Sequence, residues 1–142
     1  MRAFVAAVLA VLICSAAGCG PPKETNPAAQ KAGVEAANKW LPLLDEGKDV
    51  ESWDKTGDYL KAMIPKQRWC EQVAPQRRVM GKLVSRVVDS KQYAITLPGM
   101  PDGEHVMIQY KTVFKRKKAA AEVVVVSRED DGTWRVSGYF IR

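Results

Sequence analysis

The sequence predicts an α+β fold, with N-terminal helices packed on a curved four-stranded antiparallel sheet. Three observations lead there. Between Ala28 and Met80 the apolar residues recur at helical spacing. After Gly81 the period changes to two and stays there to the end of the chain. Gly, Pro and Asp-Gly signals divide that second half into four runs of strand length. Helices first and strands afterwards argue a layered α+β domain, one face of the sheet lying on the helices.

Each element has its own signal. Ala28 to Glu46 is expected as the first helix, with Ala29, Gly33, Ala36, Trp40 and Leu44 on one side. Pro42 should kink or end it, and Gly47 is a natural stop. Asp49 can cap a second helix that carries Val50, Trp53, Leu60 and Ile64 and ends at Pro65. A third helix places Trp69, Val73, Gln76 and Met80 on one side, with a kink expected at Pro75 and Gly81 as its close. The strands are read over 83–88, 106–114, 123–126 and 134–140, where β-branched and aromatic residues alternate with polar ones or run together. Between them lie a longer loop from Leu97 to Gly103, a turn from Lys115 to Ala119, and the Asp130-Asp131-Gly132 hairpin.

Residues 1–18 are set apart from the fold. Arg2 precedes an uncharged apolar run from Ala3 to Ala17, shorter than the ~20 residues of a membrane span. A positive start, a short apolar run and small residues at its end describe a signal peptide. Ala16-Ala17-Gly18-Cys19 resembles the bacterial lipobox, with Ala16 standing where leucine is commonest. The resemblance implies a diacylglycerol on the Cys19 thiol, cleavage before Cys19 and acylation of the new amine; two or more acyl chains make such an anchor stable. An ordinary secretory signal cut after Ser15-Ala16-Ala17 is the alternative. Gly20 stands where an aspartate would resemble an inner-membrane retention signal, which implies the outer membrane with the domain facing the periplasm. Residues 19–27, with Pro21, Pro22 and Pro27, read as the lipidated cysteine and an extended tether, and 28–142 as a single domain.

Composition narrows the chemistry. The chain carries +6, one unit of which is Arg2 in the leader. That modest excess fits the vicinity of anionic lipid heads and is too weak to argue for nucleic acid. Of three cysteines, Cys14 leaves with the leader and Cys19 carries lipid, so Cys70 has no partner and no disulfide is expected. Without lipidation an oxidising compartment could join Cys19 to Cys70. No nucleotide loop, metal signature or nucleophile elbow is present, and no cofactor is expected.

One family resemblance covers about residues 28–142. It is carried by Trp40-Leu41 with Leu44-Asp45-Glu46-Gly47, Ser52-Trp53, Arg68-Trp69 and Gly81-Lys82-Leu83 with Ser85-Arg86. It continues through Leu97-Pro98-Gly99 with Pro101-Asp102-Gly103, Phe114, Glu122, Asp131-Gly132, Trp134-Arg135-Val136 and Gly138-Tyr139-Phe140-Ile141-Arg142. These stretches resemble a bacterial family of domains of unknown function, the one numbered four thousand and nineteen. The resemblance implies an exported domain of this size and assigns no activity, ligand or functional residue. The helix-then-sheet order also resembles the cystatin-like cone typified by nuclear transport factor two, a fold analogy that does not decide function.

Several side chains are candidates. The aromatic set of Trp40, Trp53, Trp69, Trp134, Tyr110, Phe114, Tyr139 and Phe140 sits at periodic positions, as core residues do; a ligand pocket is the other use of such a set. His105, the only histidine, reads as surface decoration at a strand edge, and Cys70 as a small buried hydrophobe unless Arg68 depresses its pKa. Arg86 and Glu122 lie among valines. Either they share a face and, with Arg135, give a cavity polar character, or they point outward from the sheet. Lys115, Arg116, Lys117 and Lys118 form a basic turn, either simply solvated or in contact with anionic lipid heads or cell-wall polymer.

Two functions follow as expectations. The first is a non-catalytic envelope module, anchored in the membrane, that binds an envelope protein or a small ligand. The second is a cone-fold enzyme of isomerase or hydratase type using Asp58, Asp89 or Glu122 in an apolar pocket.

Overall fold

The computed structural model describes residues 25–142, so the expected signal segment, Cys19 and most of the expected tether lie outside the described residues. Asn26 accepts a hydrogen bond from the Ala29 backbone N–H (3.0 Å), and Pro27 takes the first helical position, where its missing N–H costs nothing. Helix α1 (Pro27–Asp45) therefore begins inside the stretch read as tether. Pro42 lies within α1 and does not end it. The chain then forms α2 (Asp49–Asp54), α3 (Asp58–Met63) and α4 (Lys66–Met80), and α4 likewise runs through Pro75.

The second expected helix is thus two. Thr56 Oγ1 donates to the Trp53 carbonyl (2.7 Å), Gly57 is extended, and the Gly57 N–H donates to the Val136 carbonyl (2.8 Å). The break is stapled to the sheet, so a tertiary contact overrides the helical pattern. On α4 the buried face is Trp69, Val73 and Arg77 rather than Gln76 and Met80.

Strands β1 (Leu83–Ala94), β2 (His105–Phe114), β3 (Ala120–Arg128) and β4 (Trp134–Ile141) form one antiparallel sheet in the order β1-β2-β3-β4. The α+β class and the helix-before-sheet order hold. Strand β1 is longer than its valine-rich start, because Ser90 to Ala94 pair with Gln109 to His105 on an exposed edge where no burial pattern marks them. Register shifts fall in β1 between Leu83 and Ser85 and between Val88 and Ser90, and in the β3–β4 pair beside Val125 and Val126. Such bulges bend a sheet.

Helix α1 lies on the inner face. Gly33 makes this possible: a Cβ there would sit 2.7 Å from the Val106 Cβ, so only glycine lets helix and strand meet so closely. Ala37, Trp40, Leu41 and Leu44 from α1 pack with Val106, Ile108, Tyr110, Val124, Val126 and Val136 from the sheet. Trp40 also meets Trp69 and Tyr139 at ring-centre distances of 6.1 and 5.6 Å. Ser52 holds both indoles, its carbonyl accepting from Trp40 Nε1 (2.8 Å) and its hydroxyl from Trp69 Nε1 (3.0 Å). The aromatic set divides: Trp40, Trp69, Tyr110, Phe114 and Tyr139 are core, Trp53 and Trp134 are half-buried, and Phe140 is 64% exposed. No helix among the described residues is long and apolar enough to cross a membrane.

Candidate functional site

Arg86 and Glu122 do share the inner face. Across β1, β2, β3 and β4 the inward rows place Arg86 opposite Thr112, with Glu122 and Tyr139 one step along on the neighbouring strands. From the helices come Asp45, the last residue of α1, and Arg77, two turns beyond Trp69 on the buried side of α4. The six side chains close into one network.

Glu122 is fully buried, and both of its oxygens are saturated. Oε1 accepts from Arg86 Nε (2.7 Å) and Thr112 Oγ1 (2.7 Å). Oε2 accepts from Tyr139 Oη (2.6 Å), Arg86 Nη2 (3.2 Å) and Arg77 Nη1 (3.3 Å). Asp45 accepts from Arg86 Nη1 and Nη2 (2.7 and 2.8 Å) and from Arg77 Nη2. Two arginines thus face two carboxylates, and the charges cancel in place. Arg77 also lies over the Phe114 ring, 4.6 Å from its centre.

The electrostatics are those of a sealed core. Desolvation opposes the charge on Arg86, but the hydrogen bonds and charges of Asp45 and Glu122 outweigh it and raise its pKa. Desolvation, reinforced by the Glu122 charge, raises the pKa of Tyr139, which stays a donor. Desolvation pushes Tyr110 up to about 12, and its hydroxyl donates to Asn38 Oδ1 (2.9 Å). No buried side-chain polar atom among the described residues lacks a partner. Such a network orients and locks its members, with both oxygens of Glu122 taken up by donors within the domain.

The other candidates fall elsewhere. Arg135 is remote from Arg86 and Glu122: it pairs with Asp131 (3.2 Å) and lines an open depression of about 600 Å³ between α1 and the start of β4. The floor there is Ala36, Trp40, Leu43, Trp134 and Val136. Asp89 is tied to Lys111 (2.7 Å) on the exposed side of the sheet, and Asp58 begins α3, so Asp58, Asp89 and Glu122 do not converge. The basic turn Lys115 to Lys118 is exposed and meets the end of α4, where Arg116 Nη1 donates to the Arg78 carbonyl (3.1 Å).

His105 is buried rather than decorative. Its Nε2 donates to the Pro101 carbonyl (2.9 Å), so Nδ1 is free to accept from Ser127 Oγ (2.7 Å), which lies 2.6 Å from Ser137 Oγ. These bonds tie the Leu97–Gly103 loop to the sheet. Cys70 is half-buried and unpaired, and desolvation together with the nearby Asp49 raises its thiol pKa, the reverse of activation. No group of three or more His, Cys, Asp or Glu among the described residues could hold a metal ion.

The family described as "Protein of unknown function (DUF4019)" matches residues 36–139, most of the described domain. The chain belongs to the DUF4019 family. The match takes in Asp45, Arg77, Arg86, Thr112, Glu122 and Tyr139. No curated protein and no solved structure matches the chain. Sequence reasoning named Arg86 and Glu122 of the network, placed Tyr139 only in the aromatic set, and missed Asp45, Arg77 and Thr112. A signal for Arg77 existed in the four-residue spacing Trp69, Val73, Arg77, which sets an arginine on the apolar face of α4. Asp45 had none, since an acid at a helix end reads as solvated.

Proposed function

We propose that this DUF4019 protein is a non-catalytic binding module of the cell envelope, held by a lipid on Cys19 in the outer membrane and facing the periplasm. The anchor is supported by Ala16-Ala17-Gly18-Cys19 behind a short apolar run, and the outer-membrane placement by Gly20. The bulges of the sheet and the helix laid on its inner face support a cystatin-like cone. One observation carries the binding reading: the depression floored by Trp40, Leu43 and Trp134 is open to solvent, while the cone's interior is closed by the Asp45–Arg77–Arg86–Glu122 network. Trp134 Nε1 has no hydrogen-bond partner among the described residues and is not fully buried. An apolar floor, an available donor and the Arg135 cation suit a small ligand with a flat apolar part and an acidic or carbonyl group. The same face would serve an envelope protein presenting such a side chain.

The test is paired native and denaturing mass spectrometry of the chain purified from its own envelope. Extra mass kept in the native spectrum, lost on denaturation and absent from Trp134→Ala is the expected result. A bare mass for both proteins, with no change of tryptophan emission on adding envelope extract, overturns the ligand reading. The N-terminal peptide is expected to carry the mass of an acylated Cys19.

A further inference from the structure

Six exposed cations gather at one end of the domain. Arg78 ends α4, Lys82 follows it, and Lys115, Arg116, Lys117 and Lys118 make the β2–β3 turn. Arg78, Lys82, Lys115 and Arg116 border an open depression of about 570 Å³. None of the six pairs with a carboxylate among the described residues; Lys39, Lys55, Arg68 and Lys91 are likewise outside any ion pair but are spread singly over other elements, whereas these six stand together. The acids that border the depression are Asp49 and Asp45, and Asp45 is already neutralised by Arg77 and Arg86. The turn is also fixed. The Lys115 N–H donates to the Lys82 carbonyl (2.8 Å), and the Arg116 N–H donates to the Met80 carbonyl (3.0 Å). The backbone that carries these charges is therefore held against the end of α4 before any partner arrives.

Their position in the fold decides what they face. Near its start α1 meets Val106 at the beginning of β2 through Gly33, and at its end Asp45 meets Arg86, which pairs with Thr112 near the end of β2. Helix α1 thus runs along β2, and 19 residues at 1.5 Å each set its two ends roughly 28 Å apart. The chain enters at Pro27 at one pole, and the six cations stand at the other. We infer that the cationic pole is a docking surface for an acidic glycan, a sugar chain bearing repeated carboxylates, on the side of the domain away from its anchor. This inference rests on the tethered reading above for its orientation. Complementary charge carries it: point charges spread over three segments suit a polymer whose anions repeat along its length, and association releases the counter-ions such a polymer holds.

The full acylated chain in neutral detergent is titrated with polygalacturonate. Binding is expected, weakening about tenfold or more between 50 and 200 mM salt, as displacement of several counter-ions requires. The triple variant Lys82→Glu, Lys115→Glu, Lys117→Glu is expected to lose at least tenfold in affinity with an unchanged melting midpoint. The variant Lys31→Glu, Lys61→Glu, Lys91→Glu, of the same net charge, is expected to bind as the unaltered chain does. Equal weakening by both triples would reduce the effect to net charge and overturn the proposal, as would no binding by the unaltered chain. Binding of the unacylated Cys19→Ala chain to phosphatidylglycerol vesicles but not to the polymer would also overturn it, in favour of a membrane-facing pole. Trp134→Ala leaves polymer binding intact, so failure of the small-ligand reading and failure of this one are separate results.

Discussion

At the scale of the residue, Glu122 is the most constrained side chain described. Its removal as Glu122→Gln leaves two buried guanidinium groups facing one carboxylate. The expected loss is about 3–5 kcal/mol in urea unfolding, the cost of stranding a buried charge. Removing one charge of each sign should behave differently. Arg86→Met with Glu122→Leu keeps Arg77 opposite Asp45, and the double variant is expected to recover most of what either single change loses, read as a coupling energy in a double-mutant cycle. Tyr110 sets a pH dependence. Its phenol ionises near 10 when unfolded and near 12 when folded, because desolvation disfavours the phenolate. Between those values the unfolded chain holds fewer protons, so stability falls as pH rises from 10 to 12 and is fully present below 10. Urea midpoints across that range should fall less steeply for Tyr110→Phe; an identical slope would show that Tyr110 is not the group responsible.

At the scale of the element, the contact between α1 and β2 is governed by the absence of one methyl group. Gly33→Ala gains about 1 kcal/mol of helix propensity yet forces a Cβ against Val106, where overpacking costs about 1–3 kcal/mol. Net destabilisation is expected, and Gly33→Ala with Val106→Ala should cost less than the sum of the two alone. Asn26→Ala should lower stability by about 1 kcal/mol through loss of the α1 cap. Element type was legible wherever one face was buried. Trp40 and Leu44, Trp69 and Val73, and the alternation from Val106 to Phe114 each mark a periodic apolar face. It failed where the determinant was distant. Nothing near Gly57 tells that its N–H is to meet Val136, and the Ser90–Ala94 half of β1 is ordered by pairing with β2 and by Tyr93 against the core rather than by a periodic apolar face. The site followed the same rule. Arg86 and Glu122 stood out as charges in apolar strands, whereas Asp45 stood at a helix end, where charges are ordinary.

At the scale of the whole molecule, the described residues hold a charged interior network and, among their open depressions, the two described above, which are assembled differently. The depression beside Trp134 is made from α1, α2 and the start of β4; the cationic one from the ends of α1 and α4 and the β2–β3 turn. A ligand held at the first should raise the melting midpoint of the unaltered chain and not of Trp134→Ala, since binding to the folded state alone adds to stability. The interior also bears on the order in which the chain can close. Members of the charged network emerge as Asp45, Arg77, Arg86, Thr112, Glu122 and Tyr139. Until Glu122 leaves the ribosome the nascent chain holds two cations against one anion, and a premature collapse would bury a net positive charge. The last negative partner and the phenol that buttresses it both come from the closing strands. Burial of the two arginines is thereby disfavoured until the closing strands have joined the sheet.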